Sequence, residues 1–167
     1  VNYFAFLRGI NVGGNNMIRM ADLRTLCTSL GYDDVRTVLQ SGNVIFRAKR
    51  ASAKQLEEAT GVRVILRTEN ELRAVVANNP FETIRNPSLL LVVFLDKPAP
   101  PDAAARLRAI YKGPEIFHVN GREMYVDYVN GVGTSKLTHY LIERTLGVTG
   151  TARNWNTVNR LLALSGS

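Results

Sequence analysis

A chain of 167 residues that is 46% hydrophobic has room for one domain or two small halves, and is too apolar for a disordered segment. Its longest apolar run, Leu89 to Leu95, has the length of a strand and falls far short of the roughly 20 residues that cross a bilayer, so no membrane role is expected. A net charge of +7, with 16 Arg against 5 Lys, favours an anionic partner, and a lone cysteine excludes an internal disulfide or a cysteine-built metal site.

Taken in chain order, Tyr3 to Leu7 reads as a strand, and the loop LRGINVGGNN follows it. Met20, Leu23, Leu26, Cys27 and Leu30 recur at helical spacing, and Gly31 stands where a left-handed cap belongs. Cys27 is in step with that face and reads as a small buried hydrophobe. Val35 to Gln40 and Asn43 to Phe46 alternate as strands around SGN, a hairpin signal. Ser52 and Gln55 have capping-box spacing, Gly61 ends that short helix, and Val62, Val64 and Leu66 alternate in a fourth strand. The order βαββαβ is the ferredoxin-like unit.

A third helix opens on Thr68 and Glu71 and stops at NNP. The second series begins with the doubly apolar strand Leu89 to Leu95. A helix introduced by Pro100 and Pro101 carries Leu107, Ile110 and Tyr111. Ile116 to Val119 and Glu123 to Tyr128 flank the turn NGR. Thr134 or Ser135 is read as the cap of a helix with Leu137, Leu141 and Leu146, and a last helix carries Trp155, Val158, Leu161 and Leu162. The expected class is therefore α+β with two ferredoxin-like halves. Residues 1–79 hold βαββαβ and a linking helix; residues 80–167 hold βαββαα and end in an extra helix. The residues themselves show no convincing repeat.

In a βαββαβ sheet the strand order 4-1-3-2 brings the loop after strand one beside the turn between strands two and three. RGINVGG and QSGN then share one end of the sheet. Gly13 and Gly14 there permit close backbone approach to a ligand. A nucleotide phosphate loop does not fit: Gly9 and Gly14 have the right spacing, but Asn15 and Asn16 replace the Lys and the Ser or Thr it needs. Structural capping by the asparagines is the plain alternative. One face of the first sheet carries Arg36, Arg47, Arg63 and Arg67. If open, it has the geometry of single-stranded RNA binders without their stacking rings; if covered, the arginines lie at its rim. Arg47, Lys49, Arg50 and Lys54 read as solvated surface, and GVGTSK, Gly131 to Lys136, as a capped helix start. His118 and His139 sit in no motif, so no catalytic residue, metal or cofactor is assigned.

The segments LRGINVGG, LQSGNVIF, LRT, NPF and RNWNTV, in that order over nearly the whole chain, resemble the DUF1697 family, a bacterial domain family without assigned activity. The resemblance implies two ferredoxin-like halves and carries over no catalytic residue. Its motifs fall on Arg8, Gly9, Asn11, Gly13 and Gly14, on Gln40, Ser41, Gly42 and Asn43, and on Arg153, Asn154 and Trp155. Asn15 departs from the family's usual Lys, Ala152 from a usual Thr, and the second helix is short.

The resulting expectation is a cytoplasmic monomer or weak dimer without a secretion leader, acting as a binding module for an anionic ligand, nucleic acid by preference. Its candidate ligand-binding residues are Arg8, Asn11, Gly13, Gly14, Asn15, Gln40, Ser41, Asn43, Arg153 and Asn154. The alternatives are an enzyme acting on a small phosphorylated or carboxylated substrate at the same patch, and a structural or protein-interaction role.

Overall fold

A computed structural model describes residues 1–9, 18–38 and 42–166. The chain divides into two compact units. Unit 1 comprises Val1–Ala74 with the residues from Arg160 onward, and unit 2 comprises Val75–Asn159.

Unit 1 contains β1 (Asn2–Leu7), α1 (Met20–Ser29), β2 (Asp33–Val38), β3 (Asn43–Arg47), α2 (Ala53–Thr60) and β4 (Val64–Thr68). Its sheet has the expected order β2-β3-β1-β4, every neighbour antiparallel. Ala5, Leu7, Val44, Phe46 and Val64 on one face pack with Leu23 and Cys27 of α1 and Leu56 of α2. Burying each large side chain in this layer stabilises by roughly 1.5–3 kcal/mol. The opposite face is buried as well: Phe4, Phe6, Asn43, Ile45, Ile65 and Arg67 are all at most 2% exposed. The open arginine-bearing platform is thereby removed. Arg67 is inside, and half-buried Arg36 donates from Nη1 to the Leu164 carbonyl at 2.6 Å. Arg47, at the strand end, is exposed and lies 3.7 Å from Asp34.

α3 (Glu69–Ala77) follows β4 directly, and its capping box forms as read: the Thr68 amide donates to Glu71 at 2.8 Å and the Glu71 amide to Thr68 Oγ1 at 3.1 Å. Unit 2 then repeats the plan with β5 (Leu90–Leu95), α4 (Ala103–Ile110), β6 (Ile116–Asn120), β7 (Glu123–Asp127), α5 (His139–Leu146) and β8 (Gly150–Asn154). Its sheet order is β6-β7-β5-β8. Leu91, Val93 and Leu95 of β5 and Met124 and Val126 of β7 pack with Leu107 of α4 and Ile142 and Leu146 of α5. α6 (Trp155–Ser165) follows β8 and runs from unit 2 into unit 1.

Two details differ from the sequence reading. β8 lies between the last two helices, so the second half is βαββαβ followed by α6. Its sequence, GTARN, has neither β-branched alternation nor an apolar run, and pairing with β5 decides its conformation. α5 begins at His139, not after Thr134 or Ser135. Thr138 is its N-cap, with Oγ1 accepting the Leu141 amide at 3.2 Å.

The duplication reaches individual hydrogen bonds. Ser52 caps α2 as Thr138 caps α5, and Gly61 and Gly147 end those helices in the left-handed conformation, at φ 75° and 72°. Glu57 accepts the first amide of β4, from Val64, at 2.9 Å; Glu143 accepts the first amide of β8, from Gly150, at 3.0 Å. Arg67 and Arg153 each turn Nη1 back to the carbonyl of the preceding residue, at 3.0 and 2.9 Å. Each pair is separated by the same displacement along the chain, so a residue repeat does exist. It is confined to positions that cap or anchor. No described helix is long and apolar enough to cross a membrane.

Candidate functional site

β1 leaves its sheet at Leu7, β3 enters at Asn43 and β4 enters at Val64, all at one end. The Leu7 amide donates to the Gly42 carbonyl at 2.9 Å, and the Arg8 amide donates to the Arg63 carbonyl at 2.9 Å. These bonds bring the flanks of RGINVGG and QSGN together as the topology requires. They also set two exposed arginines, Arg8 and Arg63, side by side in the backbone ladder. Arg63 is half-exposed and its Nε stands 3.5 Å from Glu57. Sequence reasoning assigned Arg63 to a sheet face, because it alternates with Val62 and Val64. Its place just before β4 moves it to the sheet end.

Unit 2 has the same construction with different chemistry. The Leu95 amide donates to the Arg122 carbonyl at 2.8 Å, and the Asp96 amide to the Thr149 carbonyl at 2.8 Å. Asp96 thus stands where unit 1 has Arg8, and Thr149 where it has Arg63. The Asp96 carboxylate also accepts the Thr149 amide at 3.1 Å. One backbone arrangement carries two cationic side chains, Arg8 and Arg63, in unit 1 and one of each sign, Arg122 and Asp96, in unit 2.

The other candidate residues fall in different places. Asn43 is fully buried, and its Nδ2 donates to the Val38 carbonyl at 3.0 Å, which ties the two arms of the β2–β3 hairpin. Asn154 caps α6, with Oδ1 accepting the Thr157 amide at 2.9 Å. Arg153 is 8% exposed and binds Thr151 Oγ1 at 2.8 Å; burial pulls its pKa down to about 10. Asn11, Gly13, Gly14, Asn15, Gln40 and Ser41 lie outside the described residues.

Cys27 is buried, and desolvation pushes its thiol up to about 11, away from nucleophilic use. His118 meets Phe81 edge to face at 5.3 Å between ring centres. Among the described residues no group of three or more His, Cys, Asp or Glu side chains suits a metal ion. The GVGTSK loop borders a pocket of about 500 Å³ with Tyr111 and the buried Glu115. Ser135 Oγ donates to Glu115 at 2.6 Å, and the Tyr111 hydroxyl donates to the same carboxylate. Burial opposes the charge on Glu115, but these two bonds outweigh it and hold the pKa below the usual carboxylate value. Both hydroxyl protons are spent on that carboxylate, so the cluster staples the loop to the start of β6.

Comparison with known proteins agrees with this architecture. A solved structure described as conserved bacterial protein SP0830 from Streptococcus pneumoniae is 22% identical, covers 97% of each chain and superposes with a TM-score of 0.72, a likeness of fold. No curated protein matches the chain. The family model for "Protein of unknown function (DUF1697)" matches residues 1–125. That match covers well over half of the chain, so the chain belongs to the DUF1697 family.

Proposed function

We propose that the protein is a binding module for an anionic ligand, with nucleic acid the favoured class, and that the ligand is held at the end of the first sheet by Arg8 and Arg63. The observation that carries this reading is the charge difference on one hydrogen-bond plan: Arg8 and Arg63 side by side in unit 1, against Arg122 balanced by Asp96 in unit 2. Both arginines are exposed at the sheet end, where a ligand can reach them. Guanidinium groups grip phosphate bidentately, and a net charge of +7 draws polyanions to the surface.

Both faces of the first sheet are buried around Phe4, Ile45 and Ile65, so bases do not stack on it as in open-sheet RNA binders. The contact is to backbone phosphate, which predicts steep salt dependence and little sequence preference. Fluorescence anisotropy with labelled single-stranded RNA and DNA, across a salt series, tests this. Arg8→Ala and Arg63→Ala should each weaken binding and lower the salt slope by about one. Unchanged affinity in both variants, or no binding at low salt, overturns the reading. Saturable thermal stabilisation by a small phosphorylated compound, lost in the same variants, would keep the site and change the ligand.

A further inference from the structure

Four of the five exposed large hydrophobic side chains among the described residues are in unit 2, and two of these, Ile110 at 62% and Tyr140 at 72%, belong to α4 and α5. Between those two helices runs a groove of about 550 Å³ lined by Arg106, Ala109, Ile110, Leu141, Arg144 and Thr145. Its lining is apolar along Ala109, Ile110 and Leu141, with an arginine on each helix. The acidic groups of the pair are engaged: Asp102 lies 3.3 Å from Arg106, and Glu143 receives the Gly150 amide. The Arg144 side chain has no hydrogen bond or ion pair with any described residue, and the groove lining is net positive.

Unit 1 bridges the equivalent helices with a tyrosine. Tyr32, just after α1, is 5% exposed, stacks on Phe46 at 4.2 Å and donates its hydroxyl to Gln55 of α2 at 2.7 Å. Leu141 of α5 holds the position of Gln55 and cannot accept that bond. Tyr111, which follows α4, turns to Glu115 instead. The bridge that joins α2 to the end of α1 thus has no counterpart at Leu141.

We infer that the α4–α5 groove docks an acidic amphipathic helix of a partner protein. An exposed Ile110 between arginines suits an interface centre, and an apolar groove between helices accepts i, i+3, i+4 and i+7 side chains of a third helix. Arg144 selects an acidic flank, Arg106 being paired with Asp102, and a chain of net charge +7 repels a second copy of itself. This inference concerns a site separate from Arg8 and Arg63 and stands without them.

The test is fluorescence anisotropy with a labelled peptide of about 14 residues, Leu at i, i+3, i+4 and i+7 with Glu at the flanks, beside a twin with Lys in place of Glu. The Glu peptide should bind at least about tenfold tighter than its twin. Ile110→Asp should weaken it about tenfold and Arg144→Ala about threefold, the latter only at low salt. Both residues are exposed, so thermal unfolding of the variants should match the parent protein, and Arg8→Ala should bind the peptide normally. Equal affinity for the two peptides, or binding that ignores both groove variants, overturns the inference. So does a concentration-dependent dimer abolished by Ile110→Asp, or displacement of the peptide by single-stranded RNA.

Discussion

Val64 and Gly150 open equivalent strands and each donates its amide to a glutamate, yet only one of them has a side chain. Val64 fills the layer between the first sheet and its helices. At Gly150, an added Cβ would come within 2.9 Å of Val93 and 3.0 Å of Leu95 and the Phe94 carbonyl. Unit 2 has filled that volume from the neighbouring strand. The two units thus share a scaffold of caps and anchor bonds, while each core is fitted on its own terms. What persists through the duplication is what satisfies backbone groups; what has diverged is volume and surface charge.

Swapping the two solutions should give the largest effect. Gly150→Val overpacks unit 2 and should cost about 3 kcal/mol in urea unfolding, whereas Val64→Ala should cost about 2 kcal/mol through lost burial. If Gly150→Val is tolerated, the two cores are not separately fitted. Alkaline titration separates the units next. Burial raises Cys27 of unit 1 from 9.0 to about 11, and Tyr125 and Tyr128 of unit 2 from 10.0 to about 12. The folded-state value is the higher one in each case. Their contribution is therefore complete below 9.0 in unit 1 and below 10.0 in unit 2, and is lost as pH rises through about 11 and about 12 respectively. Unit 1 should loosen first. Thiol labelling of Cys27 should begin at a lower pH than the emission change of Trp155, which lies in unit 2. Cys27→Ala should flatten the melting temperature between the two Cys27 values.

Smaller effects probe the shared bonds. Glu57→Ala and Glu143→Ala should each cost about 1–2 kcal/mol, since each strands a strand-opening amide. Unequal losses in denaturant unfolding would show that the two anchors are not equivalent. Ser52→Ala and Thr138→Ala should each cost about 1 kcal/mol, read as paired shifts in melting temperature.

Most of the fold was legible because it is written in local signals. Ser52 with Gln55, Thr68 with Glu71, and Gly31, Gly61 and Gly147 mark helix ends, while Leu89 to Leu95 announces a central strand. β8 was not legible, since GTARN becomes a strand only by pairing with β5. The repeat was equally hidden: it survives as single residues such as Glu57 and Glu143, spaced too widely to register as a motif. At the candidate site, the meeting of the two loop flanks followed from strand order alone. The role of Arg63 did not, because one residue decides whether an alternating position lies on a sheet's face or at its end. Asn43 and Asn154 looked like ligand donors by type, but a capping asparagine and a binding one read alike until their partners are known.

Unit 1 is discontinuous in sequence. Arg36 is bound to the carbonyl of Leu164 and Asn2 to that of Ser165, so the first strands are completed by the last turn of α6. During synthesis, unit 2 has every one of its residues available before unit 1 does. The N-terminal portion must wait, with its β2 edge unfinished, until the end of α6 leaves the ribosome. Removal of the segment from Arg160 onward should therefore harm strands made before unit 2, and nascent chains halted at Asn159 should present a folded second unit and an incomplete first one.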